Sequence, residues 1–129
     1  MNIEETRKIT LSLIDTFNQA SQVSLDLRKA GLTKEIKSDN TPVSNGDIEV
    51  NKILTSKINE ITPNIAIVSE ESSNHKGDDN LRDFWLIDPI DGTREYINDR
   101  DEFTLNAALI INRKPVIGII TAPAKKRVF

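Results

Sequence analysis

The sequence is organised around one stretch, Trp85-Leu86-Ile87-Asp88-Pro89-Ile90-Asp91-Gly92-Thr93-Arg94-Glu95-Tyr96. The apolar run at residues 84–87 predicts a buried strand that leads into a bend with two aspartates three residues apart. Within that bend, Gly92 permits a positive φ or the close approach of a ligand to the backbone. The polar residues that follow predict the start of a helix, whose first N–H groups can bind an anion. Two carboxylates beside such amides can hold a divalent cation and a phosphate together.

The same residues are also typical of an ordinary turn, because Asp-Pro and Asp-Gly are common turn dipeptides. A calcium loop of the EF-hand type is excluded, since Pro89 stands where that loop needs Asp or Asn. Taken alone, the stretch leaves a plain turn and a metal-phosphate site as alternatives, and the remainder of the chain decides between them.

The composition excludes several classes of function. The chain has 129 residues, enough for one domain, and its net charge of -3 gives no basic surplus to attract nucleic acid or an anionic membrane. It contains no cysteine, so neither a disulfide nor a thiolate metal site can form. We find no signal-peptide pattern and no apolar run of membrane-spanning length, and therefore expect a cytoplasmic protein without a transmembrane segment.

Apolar residues recur at helical spacing in two segments. Residues 4–30 predict a long amphipathic helix that ends at Gly31. A second helix is predicted to begin near Asn45 and to end before Thr62-Pro63. Asp47 then falls in the first turn of this helix, where the helix dipole favours a carboxylate.

Shorter apolar runs predict a sheet. We expect strands at residues 34–38, 65–68, 84–87, 103–111 and 116–121. Residues 39–42 predict a turn, residues 112–115 a hairpin connection, and Val128-Phe129 the opening of a further strand. Residues 72–82 are typical of a flexible loop, in which His75 would be exposed. The predicted fold class is α/β, an α+β layered sandwich with two helices packed on a largely antiparallel sheet.

Five acidic residues stand at the ends of predicted elements: Asp47, Glu70, Glu71, Asp88 and Asp91. Individually each has a plain explanation, as a helix cap, a surface charge or a turn residue. Together they favour a magnesium site, because magnesium uses a few carboxylates along with water and phosphate oxygens. Bound magnesium can polarise a phosphoryl group, and a hydroxyl such as that of Thr93, held by a carboxylate, can orient the attacking water.

Three segments taken in order resemble a known family. Asp47, Ser69-Glu70-Glu71-Ser72 and residues 85–93 are similar to the motif series of the lithium-sensitive, magnesium-dependent phosphatases related to inositol monophosphatase. Within that family, Arg94-Glu95-Tyr96 resembles the 3'(2'),5'-bisphosphate nucleotidases better than the inositol monophosphatases. One departure is Ser44-Asn45-Gly46-Asp47, which replaces the more usual Thr-x-Ala-Asp but keeps the carboxylate.

The resemblance implies a role for each of these residues, and two or three Mg²⁺ ions in a complete site. The implied metal ligands are Glu70, Asp88, Asp91 and the backbone carbonyl of Ile90. Thr93, paired with Asp47, would activate the attacking water. The amides of Gly92 and Thr93 would hold the phosphate, and Glu71 would lie behind the metal ligands.

The implied function is that of a magnesium-dependent phosphomonoesterase. The implied substrate is 3'-phosphoadenosine 5'-phosphate, a small nucleotide and by-product of sulfate assimilation, which would be cleaved to AMP and phosphate. Lithium would inhibit the reaction. A location in the cytoplasm follows, with peripheral attachment at the inner membrane left open. Family members are monomers and dimers, so a homodimer also stays open.

The family's later Trp-Asp-x-x-Ala-Gly-type motif, which completes the second metal site, does not occur in this sequence. Residues 1–129 therefore resemble the N-terminal part of an inositol monophosphatase-like domain, with the C-terminal half absent. We expect a weakly held second ion, an exposed apolar sheet face and a truncated form that can be inactive alone. The alternatives are an inositol monophosphatase-like or sugar phosphatase and a non-catalytic remnant that binds metal or phosphate.

Overall fold

The computed structural model describes residues 1–71 and 81–129. Its helices are α1 (Ile3–Ala30), α2 (Asn45–Ile61) and α3 (Thr93–Ile97), with a short 3₁₀ turn at Pro123–Lys125. Its strands are β1 (Lys34–Ile36), β2 (Pro42–Ser44), β3 (Ala66–Ser69), β4 (Phe84–Asp91), β5 (Thr104–Ile111), β6 (Lys114–Ala122) and β7 (Arg127–Val128). The expectation for His75 lies outside the described residues, as does most of the loop predicted at residues 72–82.

The larger sheet has the order β3-β4-β5-β6-β7. Strand β3 runs parallel to β4, and the remaining neighbours are antiparallel. Strands β1 and β2 form a separate two-stranded hairpin. The predicted α+β architecture with a largely antiparallel sheet is confirmed.

Capping residues set where the two long helices begin and where α1 ends. The Asn2 side chain accepts a hydrogen bond from the Glu5 N–H and caps α1, which ends at Gly31 with φ 103°. Helix α2 begins at a capping box formed by Ser44 and Asp47. No helix among the described residues is long and apolar enough to cross a membrane.

The core lies between these helices and one face of the sheet. Trp85 and Ile87 alternate toward it from β4, and the Trp85 indole N–H donates to Thr62 Oγ1 at 3.0 Å. On the opposite face of the sheet, Leu86 is 51% exposed and Ile120 is 42% exposed. One face of the sheet therefore presents apolar side chains to solvent, as expected.

Three local predictions had the wrong bounds. Residues 42–44 form strand β2, and the turn before it lies at residues 38–40. The turn-forming residues at 39–42 led to the prediction of a longer turn in place of this strand. The hairpin between β5 and β6 has only two loop residues, Asn112 and Arg113, both with positive φ as a tight primed turn requires. Strand β4 continues through the predicted bend, and its pairing with β5 shifts between Asp88 and Asp91. The expected bend is thus a bulge within a strand.

Candidate metal and phosphate site

The predicted site residues meet at one open cleft of about 360 Å³. All of them except Asp47 line it: Glu70, Glu71, Asp88, Ile90, Asp91, Gly92 and Thr93. They come from the ends of β3 and β4 and the start of α3, because the parallel pairing of β3 with β4 brings both strand ends to one edge of the sheet. The β1–β2 turn closes the cleft on another side, with Lys37, Asp39 and Thr41.

Asp47 is fully buried beneath this cleft. Its Oδ2 accepts hydrogen bonds from the Ser44 N–H at 2.8 Å and the Ser44 hydroxyl at 2.6 Å. Its Oδ1 accepts one from Thr93 Oγ1 at 2.8 Å. One oxygen therefore caps α2 while the other holds Thr93, so the helix-cap explanation and the functional one are compatible.

Gly92 occupies a conformation that an L-residue rarely adopts, with φ 87°. A Cβ at this position would lie 2.7 Å from the Glu102 carbonyl oxygen, so both the backbone angle and the space require glycine. The first hydrogen bond of α3 runs from the Tyr96 N–H to the Gly92 carbonyl at 2.9 Å. The N–H groups of residues 93–95 lie in the first turn of α3, where a helix offers no backbone carbonyl partner of its own.

The other four carboxylates affect the pKa of Asp88. Burial raises the pKa of Asp88 to about 6, and the charges of Asp91, Glu70, Glu71 and Asp47 add to the rise in that order. All five acidic residues predicted from the sequence are therefore close enough to interact. Their mutual repulsion makes the cleft favourable for a cation.

Glu71 faces Lys37 across the cleft wall, with Nζ and Oε1 3.6 Å apart. Burial raises the pKa of Glu71, and the ammonium of Lys37 partly offsets that rise. Sequence reasoning missed Lys37, since no motif or periodicity marks a lysine that follows a three-residue strand. This ion pair holds the β1–β2 hairpin against the end of β3.

The position of Glu70 and Glu71 depends on buried polar contacts below them. The Glu70 N–H donates to the Ile87 carbonyl at 3.2 Å, which extends the β3–β4 pairing. Ser69 Oγ donates to Asn51 Oδ1 on α2 and accepts from the Glu71 N–H at 3.3 Å. Asn51 was also missed, because a polar residue on a helix has no visible partner in the sequence.

The oxygen atoms that line the cleft are of the chemical type that magnesium binds. Within residues 1–71 and 81–129, no group of three or more His, Asp or Glu side chains is arranged to hold a metal ion on its own. Carboxylates and a backbone carbonyl are nevertheless the hard oxygen ligands that magnesium takes, and it usually keeps water and substrate oxygens in its other positions. The raised pKa of Asp88 marks where a cation would relieve repulsion.

We expect Asp88→Asn to stabilise the metal-free protein at neutral pH. The pKa of about 6 lies above the ordinary 3.8, so ionised Asp88 is disfavoured in the folded state and the benefit should shrink as the pH falls through this range. The shift corresponds to about 3 kcal/mol unscreened, and we expect about 1 kcal/mol because solvent screens a partly exposed carboxylate.

Thermal unfolding in EDTA at several pH values measures this difference. Asp15→Asn is the matched control, because Asp15 is an exposed carboxylate on α1. A destabilised Asp88→Asn at neutral pH, or a gain equal to that of the control, would contradict the repulsion inferred here.

Comparison with known proteins agrees with the motifs. Residues 4–129 match the model of the inositol monophosphatase family. The chain is 35% identical over 120 residues to the 3'(2'),5'-bisphosphate nucleotidase CysQ of Aggregatibacter actinomycetemcomitans, an alignment that covers 92% of this chain and 45% of the relative.

Solved structures share the fold. CysQ from Bacteroides thetaiotaomicron, described as a bacterial member of the inositol monophosphatase family, superposes with a TM-score of 0.72 at 30% identity, over 94% of this chain and 44% of that one. An IMPase/NADP phosphatase complexed with Mg²⁺ and phosphate gives a TM-score of 0.83 at 20% identity, over 95% and 47% of the two chains. This chain spans less than half the length of these proteins. It belongs to the inositol monophosphatase family.

Proposed function

We propose that this chain carries the metal- and phosphate-binding part of a magnesium-dependent phosphomonoesterase that cleaves 3'-phosphoadenosine 5'-phosphate to AMP and phosphate. The observation that carries the proposal is the hydrogen bond from Thr93 to buried Asp47, at the floor of a cleft whose lining includes the carboxylates of Glu70, Glu71, Asp88 and Asp91. Residues 1–129 would then be the N-terminal part of an inositol monophosphatase-like domain. The similarity to bisphosphate nucleotidases supports the substrate.

Glu70, Asp88, Asp91 and the carbonyl of Ile90 would hold magnesium, with Glu71 behind them. When bound, magnesium supplies positive charge that stabilises the transferring phosphoryl group. The amides of Gly92 and Thr93 would bind phosphate oxygens at the positive end of the helix turn.

Thr93 and Asp47 would handle the proton of the attacking water. Because Thr93 Oγ1 donates its proton to Asp47 Oδ1, the lone pairs on Oγ1 are available to accept a hydrogen bond from water. As the water oxygen attacks phosphorus, its proton passes to Oγ1 while the threonine proton passes to Oδ1. The bond from phosphorus to the 3' oxygen breaks, and that oxygen takes a proton from solvent.

The same similarity suggests a cytoplasmic role in clearing a by-product of sulfate assimilation, with inhibition by lithium. An inositol or sugar phosphate is the alternative substrate class. A non-catalytic chain that binds metal or phosphate is the alternative of another kind. One observation favours it: among the described residues, no group of three acidic or histidine side chains is arranged to hold an ion alone.

The test is phosphate release from 3'-phosphoadenosine 5'-phosphate and from inositol 1-phosphate with magnesium, each with and without lithium. We expect lithium-sensitive turnover of the nucleotide that Asp88→Asn reduces about a thousandfold or more, because this variant folds but loses one of the proposed magnesium ligands. Turnover of inositol 1-phosphate alone would move the assignment to the alternative substrate. Magnesium binding without turnover of either substrate would leave the non-catalytic function.

A further inference from the structure

The segment of residues 98–103 joins α3 to β5 and packs against the phosphate turn. Its Glu102 carbonyl oxygen lies so close to Gly92 that a Cβ there would be only 2.7 Å away. The segment is also tied to α3, since the Arg100 N–H donates to the Glu95 carbonyl at 2.8 Å. The placement of residues 98–103 therefore limits where the Gly92 and Thr93 amides can lie.

Arg28, at the end of α1, holds this segment through three successive residues. Its Nε lies 3.3 Å from Asp99 Oδ1, and a terminal nitrogen lies 3.4 Å from Asp101 Oδ1. The other terminal nitrogen donates to the Arg100 carbonyl. The side chain of Arg28 is only 11% exposed, so the guanidinium is part of the packed structure.

The same guanidinium covers two aromatic rings that support α3. Its central carbon lies 5.6 Å from the Tyr96 ring centroid and 5.0 Å from that of Phe103. The two rings are 4.9 Å apart, and Tyr96 Oη donates to the Ser24 carbonyl on α1 at 2.7 Å. Arg28 thus contacts both the segment that follows α3 and the residue that anchors α3.

We propose that Arg28 is a positioning residue for the phosphate-binding amides of Gly92 and Thr93, an inference that rests on the proposed function. The ion pairs alone do not explain the arrangement, because Asp99 is 86% exposed and Asp101 is 61% exposed, and exposed pairs contribute little. The specific feature is a planar, largely buried group that donates to a carbonyl and covers two rings at once. A lysine ammonium cannot reproduce that geometry.

The experiment compares Arg28→Lys and Arg28→Ala with Lys29→Ala, an exposed charge in the same helical turn. Calorimetry measures binding of magnesium and then of inorganic phosphate. We expect both Arg28 variants to bind phosphate about tenfold more weakly while their magnesium affinity changes less than about twofold. Guanidinium ion added to Arg28→Ala should restore phosphate binding. Lys29→Ala should match the wild type.

Nuclear magnetic resonance gives a second readout that needs no ligand. We expect Arg28→Lys to shift the backbone amide resonances of Gly92 and Thr93, and Lys29→Ala to leave them in place. Unchanged amide resonances in Arg28→Lys would overturn the inference. It would also be overturned if phosphate binding fell only in proportion to lost stability and guanidinium ion did not restore it. If the wild type binds no phosphate, the proposed function fails, and the resonances still decide whether Arg28 positions the turn.

Discussion

Gly46→Ala should destabilise the folded chain by about 3 kcal/mol, the upper end of the usual range for overpacking a core. A Cβ at Gly46 would lie 2.3 Å from Tyr96 Oη and within 2.7 Å of two ring carbons. The ring cannot turn aside, because Tyr96 is fully buried, packs against Phe103 and is hydrogen-bonded to the Ser24 carbonyl. Relief requires α2 and α3 to separate, which would also pull Thr93 away from Asp47.

Urea unfolding followed by fluorescence of the single tryptophan measures this effect. Gly118→Ala is the control, because nothing lies within 4 Å of a Cβ built at that exposed strand position. We expect the control to change stability by less than about 0.5 kcal/mol. Adding Tyr96→Phe to Gly46→Ala should recover part of the lost stability, since it removes the hydroxyl oxygen that lies nearest to the new Cβ. Equal stability of Gly46→Ala and Gly118→Ala would contradict the packing argument.

The fold was predictable where a pattern repeats over many residues. Helices α1 and α2 bury one stripe each and have capping residues at their ends, so their bounds follow from the sequence almost to the residue. Strand β2 was missed because its three residues follow a turn and show no alternation. The bulge in β4 was also missed, because the apolar pattern does not report a change in pairing register.

Local motifs also explain how much of the site could be predicted. Asp47, Asp88 and Gly92 each stand at the boundary of an element that the sequence predicts, where a carboxylate or glycine has few local reasons to be. Lys37 has no such signal, because its partner Glu71 is brought to it only by folding. The contact of Tyr96 with Ser24 joins residues 72 apart in the chain, and neither residue is unusual where it stands. Contacts of this kind follow from tertiary packing alone.

Under the proposed function, Asp47→Asn should lower turnover of 3'-phosphoadenosine 5'-phosphate about a thousandfold while lowering the free energy of unfolding by only about 1 kcal/mol. Oδ2 accepts two hydrogen bonds from Ser44 and Oδ1 accepts one from Thr93, so the amide oxygen should take the Oδ2 position and preserve the helix cap. The amide NH₂ would then donate to Thr93 Oγ1. The threonine proton would turn to the Ile90 carbonyl, 3.2 Å from Oγ1. Thr93 could no longer pass a proton to residue 47.

Phosphate release and thermal unfolding, measured on the same samples, separate the two roles. Asp47→Ala removes both oxygens, so it should lose as much turnover and also about 2–3 kcal/mol of stability, since the Ser44 donors are left unsatisfied in a buried place. Thr93→Ser keeps the hydroxyl and should stay within about tenfold of the wild type, whereas Thr93→Val should fall as far as Asp47→Asn. A double variant that combines Asp47→Asn with Thr93→Val should be no slower than either single variant, because both changes interrupt the same proton path. Additive losses would mean that Asp47 acts as a helix cap and that the proton leaves the water by another route.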